Sequence, residues 1–305
     1  MFNLLDELVE KNKIYGKEGK LASYIPALLE ANIEDLGIVL YDLKGIEYHS
    51  GIFEKKFTIQ SISKVITLIL ALRDNGKDDV FKKVNVEPTG MGFNSIVNLE
   101  AKKTNRPYNP MINAGAIVTT SLIKGNNIED RLNSILGFIR KLTNNDTIKV
   151  NERVYLSEKE TGDRNRSLAY FMKSTGILEG NVDEILELYF KQCSIEVTAM
   201  DLARIASVIA NNGVIPWSNE KVISGEICRV VKTIMVTCGM YDASGEFAVN
   251  VGIPGKSGVG GGILAVVPKR FGIGIYGPSL NKKGNSIAGT KLINELSEIL
   301  ELSIF

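Results

Sequence analysis

The chain has 305 residues, enough for one large domain or two modest ones. Its 36 basic and 35 acidic residues nearly cancel and no polybasic run occurs, which argues against nucleic acid or an anionic membrane as a partner. The single histidine, His49, excludes a zinc site built from several histidines, and a Ser-His-Asp triad would depend wholly on it.

The start of the chain lacks a basic segment followed by a long apolar run, so we expect a cytoplasmic protein without an export signal. No apolar run approaches the roughly 18 residues that would span a bilayer. Cys193, Cys228 and Cys238 are odd in number and lack metal-ligand spacing, which favours free thiols. We expect neither a metal nor a cofactor.

Hydrophobic periodicity predicts amphipathic helices over 2–12 and 21–30 near the start. A β-hairpin with a glycine turn is predicted over 37–50, and a short strand or loop over 55–59 leads to Ser61. The middle of the chain, about 65–235, predicts helices without a convincing strand. The clearest helices of this middle part are predicted over 128–142, 182–193 and 198–211. After it, the sequence predicts a second hairpin over 262–276 and an amphipathic helix over 287–302.

The simplest architecture is a single domain over 1–305 of the α/β (α+β) class, in which an antiparallel sheet takes strands from both termini and helices flank it. One subdomain is predicted to be discontinuous, formed by about 1–64 and 236–305. An all-helical subdomain, about 65–235, would be inserted between these two parts. A cleft between such subdomains is a favoured place for a small ligand.

Ser61 and Lys64 lie three residues apart, where a strand gives way to an apolar helix. Positions i and i+3 share a helix face, so the two side chains can meet, and the first turn of a helix favours negative charge. The turns after Lys64 are almost wholly apolar, which predicts a buried lysine with a lowered pKa. A neutral amine could then take the serine proton, so we interpret Ser61 as a nucleophile and Lys64 as its base.

The Ser-x-x-Lys spacing alone decides nothing, because roughly one or two such patterns are expected by chance in a chain of this length. Context separates this pair from the others. Only Lys64 is enclosed by apolar residues, and burial of an unpaired lysine is rare. The remaining lysines stand beside Gly, Asn or Lys in predicted turns or exposed helix ends: Ser121/Lys124, Ser218/Lys221 and Ser279/Lys282.

A second motif, Lys256-Ser257-Gly258, lies in a glycine-rich run just before an apolar strand. A Lys-[Ser/Thr]-Gly tripeptide combined with an upstream Ser-x-x-Lys is the pairing of penicillin-recognising serine enzymes. The tripeptide should occur roughly once in ten chains of this size by chance, so the ordered pair is much stronger than either motif. The glycine run could instead be a flexible turn, although it also permits close approach of backbone to ligand.

Further segments resemble the serine-dependent glutaminases, in the same order along the chain and from about Gly19 to Val267. The resemblance implies a β-lactamase/transpeptidase-like fold and hydrolysis of L-glutamine to L-glutamate and ammonia. No Ser-x-Asn or Tyr-x-Asn lies between Ser61 and Lys256, which sets the chain apart from penicillin-recognising relatives. The matching segments are 19–26, 61–64, 109–117, 157–165, 189–198 and 240–247.

The resemblance also implies site residues. Ser61 would be the nucleophile, Lys64 its base, and Tyr241 a further catalytic group that relays protons, its pKa lowered by nearby ammonium groups. Lys64 or Tyr241 would protonate the leaving ammonia, and the sequence leaves this division open. The implied substrate contacts are Tyr24, Ser61, Asn113, Glu158, Asn165, Tyr189, Tyr241 and the backbone of Val259.

The chemistry of glutamine suits these residue types. Glu158 would meet the α-ammonium, although a lone glutamate in a charged loop is more often a solvated carboxylate. Backbone N–H groups of Ser61 and Val259 are plausible donors to the oxyanion. Two alternatives stay open: another Ser-x-x-Lys amidase or β-lactam-binding protein, and a non-catalytic amino-acid-binding relative. We expect a small-molecule substrate and a homodimer or homotetramer.

Overall fold

The computed structural model of the chain describes residues 1–90, 92–100 and 105–305. Helices dominate its middle part, as the periodicity predicts. The helices of the described residues are α1 (Phe2–Asn12), α2 (Ser63–Asn75), α3 (Lys77–Lys83), α4 (Val97–Glu100), α5 (Asn113–Ser121), α6 (Ile128–Thr143), α7 (Glu152–Glu160), α8 (Asp163–Ser174), α9 (Val182–Cys193), α10 (Ala199–Ala210), α11 (Gly225–Cys238), α12 (Ser244–Asn250) and α13 (Ile287–Leu300).

The sheet joins the two ends of the chain, and its five strands follow the order β2-β1-β7-β6-β5 with every neighbouring pair antiparallel. Residues Val39 and Gly274 pair directly, so the first hairpin lies beside the last one. This confirms the predicted antiparallel sheet with strands from both termini. The strands are β1 (Gly37–Asp42), β2 (Glu47–Gly51), β3 (Phe57–Thr58), β4 (Glu196–Val197), β5 (Gly255–Ser257), β6 (Gly262–Val267) and β7 (Phe271–Tyr276), with β3 and β4 forming a separate pair.

The two faces of the sheet are both covered, which explains why β6 and β7 are buried along their whole length. Alternate side chains such as Ile38 and Ile263 pack with α1 and α13 in one apolar core. Their neighbours Val39 and Leu264 point the other way, into a larger core shared with the helical middle of the chain.

Glycines allow α10 to lie directly on β7. A Cβ atom at Gly274 would stand 1.9 Å from the carbonyl oxygen of Ala199, and one at Gly272 would stand 2.2 Å from that of Ala203. Neither distance leaves room for a side chain. The contact fixes α10, and with it the adjacent strand β4, against the five-stranded sheet.

One predicted helix is wrong. The segment 21–30 contains only a short 3-10 turn, Pro26–Leu28. Its apolar side chains Ala22 and Ile25 pack instead with Tyr241 and Val259 in a small third core, so tertiary contacts override the helical pattern.

Two other expectations concern the helical middle and the membrane. The middle of the chain contributes β4, which the sequence did not predict. The division into subdomains, about 1–64 with 236–305 and about 65–235, stays a prediction, and its helical part includes the positions outside the described residues. Among the described helices, none is both long enough and apolar enough to span a bilayer.

Candidate active site

Ser61 lies in a 3-10 turn, Gln60–Ile62, that runs directly into α2 at Ser63. The predicted helix therefore exists, but Ser61 precedes its first α-helical turn. Gln60 has φ +48°, an uncommon backbone conformation for a residue with a long side chain. The backbone N–H of Ile59 donates to the carbonyl of Ile195 at 2.8 Å, which ties the turn to the segment before β4.

Lys64 is fully buried beneath this turn, as the apolar sequence around it predicts. Its Nζ donates to the carbonyl oxygen of Met111 at 3.1 Å and to Oδ1 of Asn113 at 2.8 Å. Burial lowers the pKa of Lys64 from 10.5 to about 8, although Cys193 and Glu158 oppose the change. About a tenth of Lys64 is therefore neutral at pH 7, far more than for an exposed lysine. In contrast, the lysines of the other Ser-x-x-Lys patterns are exposed: Lys124, Lys221 and Lys282.

A small cavity of about 80 Å³ brings together seven of the residues predicted to contact the substrate. Tyr24, Phe93 and Val259 also line an adjoining cavity of about 460 Å³, so they border both spaces. These dimensions suit a small molecule rather than a polymer. The seven predicted residues are Tyr24, Ser61, Asn113, Glu158, Asn165, Tyr189 and Val259.

Glu158, near the end of α7, is only 8% exposed. Burial raises its pKa from 4.5 to about 7, and this effect outweighs the lowering by Gln60 and by Lys64. Burial destabilises the ionised form of this carboxylate, and a cation bound in the cavity would stabilise it. The structure therefore disagrees with the reading of Glu158 as a solvated loop residue.

Asn113 links the lysine to Asn165, which also lines the cavity. Its Oδ1 accepts from Lys64, while its Nδ2 donates to Oδ1 of Asn165 at 2.9 Å. Tyr189 is buried beside Cys193, and burial is the main cause that raises the pKa of both the tyrosine and the thiol. The side chains of Tyr189 and Cys193 are thus polar but uncharged at neutral pH.

Tyr241, the remaining residue predicted to contact the substrate, lies close to Ser61 but is not part of the cavity lining. It has φ +56°, an outlier for an aromatic residue, and its ring centroid lies 4.9 Å from that of Phe93. Its buried hydroxyl makes no hydrogen bond of standard geometry, although Ser61 and the backbone of Val259 lie close enough to lower its pKa. Burial has the larger effect and raises the pKa well above 10. The expected lowering by nearby ammonium groups is therefore wrong, because desolvation of the phenolate dominates.

The structure adds residues that the sequence did not single out for the site. Gln60, Phe93 and Cys193 line the cavity, and Lys256 lies fully buried next to the ring of Tyr241. The Lys-Ser-Gly motif signalled Lys256, but no local pattern marked the others. All three cysteines are free, as predicted. Within the described ranges, no group of three or more His, Cys, Asp or Glu residues is placed to hold a metal ion.

The antiparallel sheet, the helical middle and the cavity lined by Ser61 are those of the β-lactamase-like fold class. A family model for glutaminase matches residues 19–305. The chain belongs to the glutaminase family.

Curated relatives match the chain over its whole length. Glutaminase 2 from Clostridium perfringens is 66% identical over 305 residues, with 100% of both chains covered. A glutaminase from Clostridium tetani is 59% identical over the same length and coverage.

Solved structures agree with the fold. A probable glutaminase from Bacillus subtilis is 40% identical, has a TM-score of 0.94 and covers 100% of this chain and 97% of its own. The Bacillus subtilis glutaminase YbgJ, as a covalent complex with 5-oxo-L-norleucine formed from 6-diazo-5-oxo-L-norleucine, is 40% identical with a TM-score of 0.92. That comparison covers 100% of this chain and 99% of the other.

Proposed function

We propose that this protein hydrolyses L-glutamine to L-glutamate and ammonia through an acyl-enzyme on Ser61. The observation that carries the proposal is one cavity lined by both Ser61 and the buried carboxylate of Glu158, with Lys64 fully buried one helical turn after Ser61. Glutamine needs both groups, since its carboxamide must be attacked and its α-ammonium must be held. Membership of the glutaminase family supports the same substrate.

Recognition of the amino-acid end falls to Glu158 and its neighbours. The α-ammonium would restore the ionised form of Glu158, since a cation close to a carboxylate lowers its pKa. Asn165, Tyr189 and Tyr24 offer neutral donors and acceptors for the α-carboxylate and the ammonium. The diazoketone that reacts with the Bacillus subtilis enzyme carries the same α-amino-acid end, which supports this orientation.

Acylation would begin when Ser61 attacks the carboxamide carbon and its proton passes to the neutral amine of Lys64. The backbone N–H groups of Ser61 and Val259 would receive the developing oxyanion. The raised pKa of Tyr241 keeps its hydroxyl protonated near neutral pH, which suits a proton donor to the departing ammonia. Lys64 would return its proton to Tyr241, and in the next step it would activate the water that releases glutamate.

An assay of ammonia release across L-glutamine, D-glutamine and L-asparagine tests the proposal. We expect turnover of L-glutamine well above the other two. Turnover of a chromogenic cephalosporin without ammonia release from L-glutamine would select a β-lactam-binding protein. Binding of L-glutamine without ammonia release would select a non-catalytic relative.

A homodimer or homotetramer and a cytoplasmic location are also part of the proposal. Both come from the sequence and the family resemblance alone. Light scattering coupled to size-exclusion chromatography would measure the oligomeric state, and fractionation of the source cells would measure the location.

A further inference from the structure

A further cavity, of about 480 Å³, lies between α12 and α13, and Met240 and Ala243 on either side of the catalytic Tyr241 line it. We call it the α12–α13 cavity. It shares no residue with the lining of the substrate cavity around Ser61, so it is a separate space. Its volume is in the range of small-molecule sites.

The residues that line the α12–α13 cavity include two buried hydrogen-bond acceptors without a donor. Oδ1 of Asn285 and Oδ1 of Asn294 are shielded from solvent, and neither accepts a hydrogen bond from the described residues. Asn285 is only 2% exposed. The terminal torsion of an asparagine side chain is soft, so the amide of Asn294 can turn its oxygen to the cavity. Buried acceptors without a partner are uncommon, and a ligand that brings N–H donors would satisfy them.

The charges of the lining favour a cation. Glu18 and Glu246 supply two carboxylates, and Lys291 supplies one amine. The Nζ atom of Lys291 lies 4.0 Å from the ring centroid of Tyr15, which holds this amine on an aromatic face. Glu246 pairs with Lys283 at 3.1 Å, whereas Glu18 forms no salt bridge within the described part of the chain. An ammonium group in this cavity would therefore meet an unpaired carboxylate as well as the two amide oxygens.

Another part of the lining is apolar. Met240, Phe247 and Val251 are buried side chains of this cavity, and Ile287 adds a half-buried one. An ammonium ion alone would leave this surface in contact with water, whereas an aliphatic stem would cover it. The lining thus fits a small molecule that carries an ammonium group on a short aliphatic stem.

The loop 281–285 connects this cavity with Tyr241. Its residue Asn285 lines the cavity, and Nδ2 of Asn285 donates to the carbonyl oxygen of Met240 at 3.2 Å. In the same loop a Cβ atom at Gly284 would stand 3.5 Å from Cε2 of Tyr241, so the loop packs against the tyrosine ring. The position of Tyr241 therefore depends on residues that form the cavity.

We propose that the α12–α13 cavity binds a small ammonium compound with an aliphatic stem, and that its occupancy raises turnover by holding Tyr241 in place. Tyr241 stands at φ +56°, a conformation that costs free energy for an aromatic residue. A ligand stabilises the arrangement of the protein that binds it, and here that arrangement keeps Tyr241 close to Ser61. The effect on turnover rests on the proposed function, because Tyr241 is taken as a catalytic group, whereas the binding does not.

Binding is tested with isopentylamine and L-leucine, which both carry an ammonium group and an aliphatic stem, and with isopentanol, which lacks the ammonium. With ¹³C in the methionine methyl groups, the signal of Met240 is assigned as the one that Met240→Leu removes. Isopentylamine or L-leucine should shift this signal with a Kd on the order of 1 mM, and isopentanol should bind at least about 5-fold more weakly. The comparison shows whether a simple amine or an amino acid fits better. If neither ammonium compound shifts the Met240 signal, or if isopentanol binds as tightly, the proposal is wrong.

Variants of the lining locate the ammonium group. Glu246→Gln and Asn294→Leu should each weaken binding by about 3- to 10-fold, because an exposed ion pair and a single hydrogen bond contribute modestly. Lys283→Met breaks the same salt bridge as Glu246→Gln but keeps the carboxylate, so it should not weaken binding. Asn133→Leu repeats the other change on an exposed face of α6 and should alter binding by less than about 2-fold. Unchanged binding in both lining variants would place the ligand elsewhere and overturn the proposal. Melting temperatures identify any variant that fails to fold, and the Met240 signal of the wild type then decides.

Turnover tests the link to Tyr241. Isopentylamine or L-leucine near saturation should raise kcat for L-glutamine, measured as ammonia release, by about 2- to 5-fold, and Asn294→Leu should reduce this gain at the same concentration. An amine that only accepts the acyl group from Ser61 would act equally on both proteins, so an equal gain in the variant would contradict the link. An unchanged or lower kcat at saturation would also contradict it. If the wild type releases no ammonia from L-glutamine, the proposed function fails, and the Met240 signal still decides whether the cavity binds an ammonium compound.

Discussion

Replacement of Lys64 by methionine should separate stability from activity. The side chains are close in volume, so the change removes the amine without opening a large cavity. A pKa lowered from 10.5 to about 8 means that burial disfavours the ammonium by about 3 kcal/mol near pH 7. The variant escapes this penalty. It also loses the hydrogen bonds to Met111 and Asn113, which together contribute about 1–3 kcal/mol.

The free energy of unfolding of Lys64→Met at pH 7 should therefore lie between that of the wild type and about 2 kcal/mol above it. The pH dependence has a definite sign. Because the folded pKa lies below the unfolded one, the native wild type binds fewer protons between about pH 8 and 10.5 and loses stability as the pH falls through this window. The relative advantage of the variant should shrink by about 2 kcal/mol between pH 7 and pH 10.

Urea unfolding at pH 7 and pH 10 measures this difference, and ammonia release from L-glutamine measures activity. We expect activity to fall by about 10²- to 10⁴-fold, the usual contribution of a general base. Lys124→Met is the matched control, since Lys124 is the exposed lysine of another Ser-x-x-Lys pattern. A variant that is less stable by the same amount at both pH values would refute the burial argument. Near-normal turnover would remove Lys64 from the mechanism.

Three further predictions concern the nucleophile, the ammonium site and pH. Ser61→Ala should melt like the wild type and lose nearly all turnover, and mass spectrometry after treatment with 6-diazo-5-oxo-L-norleucine should find the label on the peptide that holds Ser61 rather than on a cysteine. Glu158→Gln should lower kcat/KM for L-glutamine by about 30- to 1000-fold but lower that for glutaramic acid, which lacks the ammonium, much less; equal losses would make Glu158 a structural residue. In the wild type kcat/KM should rise with pH in two steps, near pH 7 as Glu158 ionises and near pH 8 as Lys64 becomes neutral. If Glu158→Gln keeps the step near pH 7, that step does not belong to Glu158.

Local patterns were sufficient for much of the fold. The hairpins at both ends and the helices such as α9 follow from the periodicity of apolar residues, which tertiary packing reinforces. The burial of Lys64 was also predictable, because the turns that follow it in α2 are almost wholly apolar. The segment 21–30 shows the limit, since its apolar residues serve a core formed with Tyr241 and Val259 from the far end of the chain.

The candidate site was predictable as a set of residues but not as an arrangement. The bond between Asn113 and Asn165 joins residues 52 positions apart, and no local pattern records such a pair. The pKa of Tyr241 was predicted in the wrong direction, because the sequence shows which charges are near but not how completely water is removed. The unusual backbone at Gln60 likewise depends on the surrounding packing.

The pairing of β1 with β7 has a consequence for synthesis on the ribosome. Val39 emerges early, but its partner Gly274 is made more than two hundred residues later. Until then β1 presents an open edge that can pair with other chains. Ser61 is likewise made long before Tyr241 and Val259, which complete its surroundings. A nascent chain should therefore remain inactive and depend on protection from aggregation until the last hairpin leaves the ribosome.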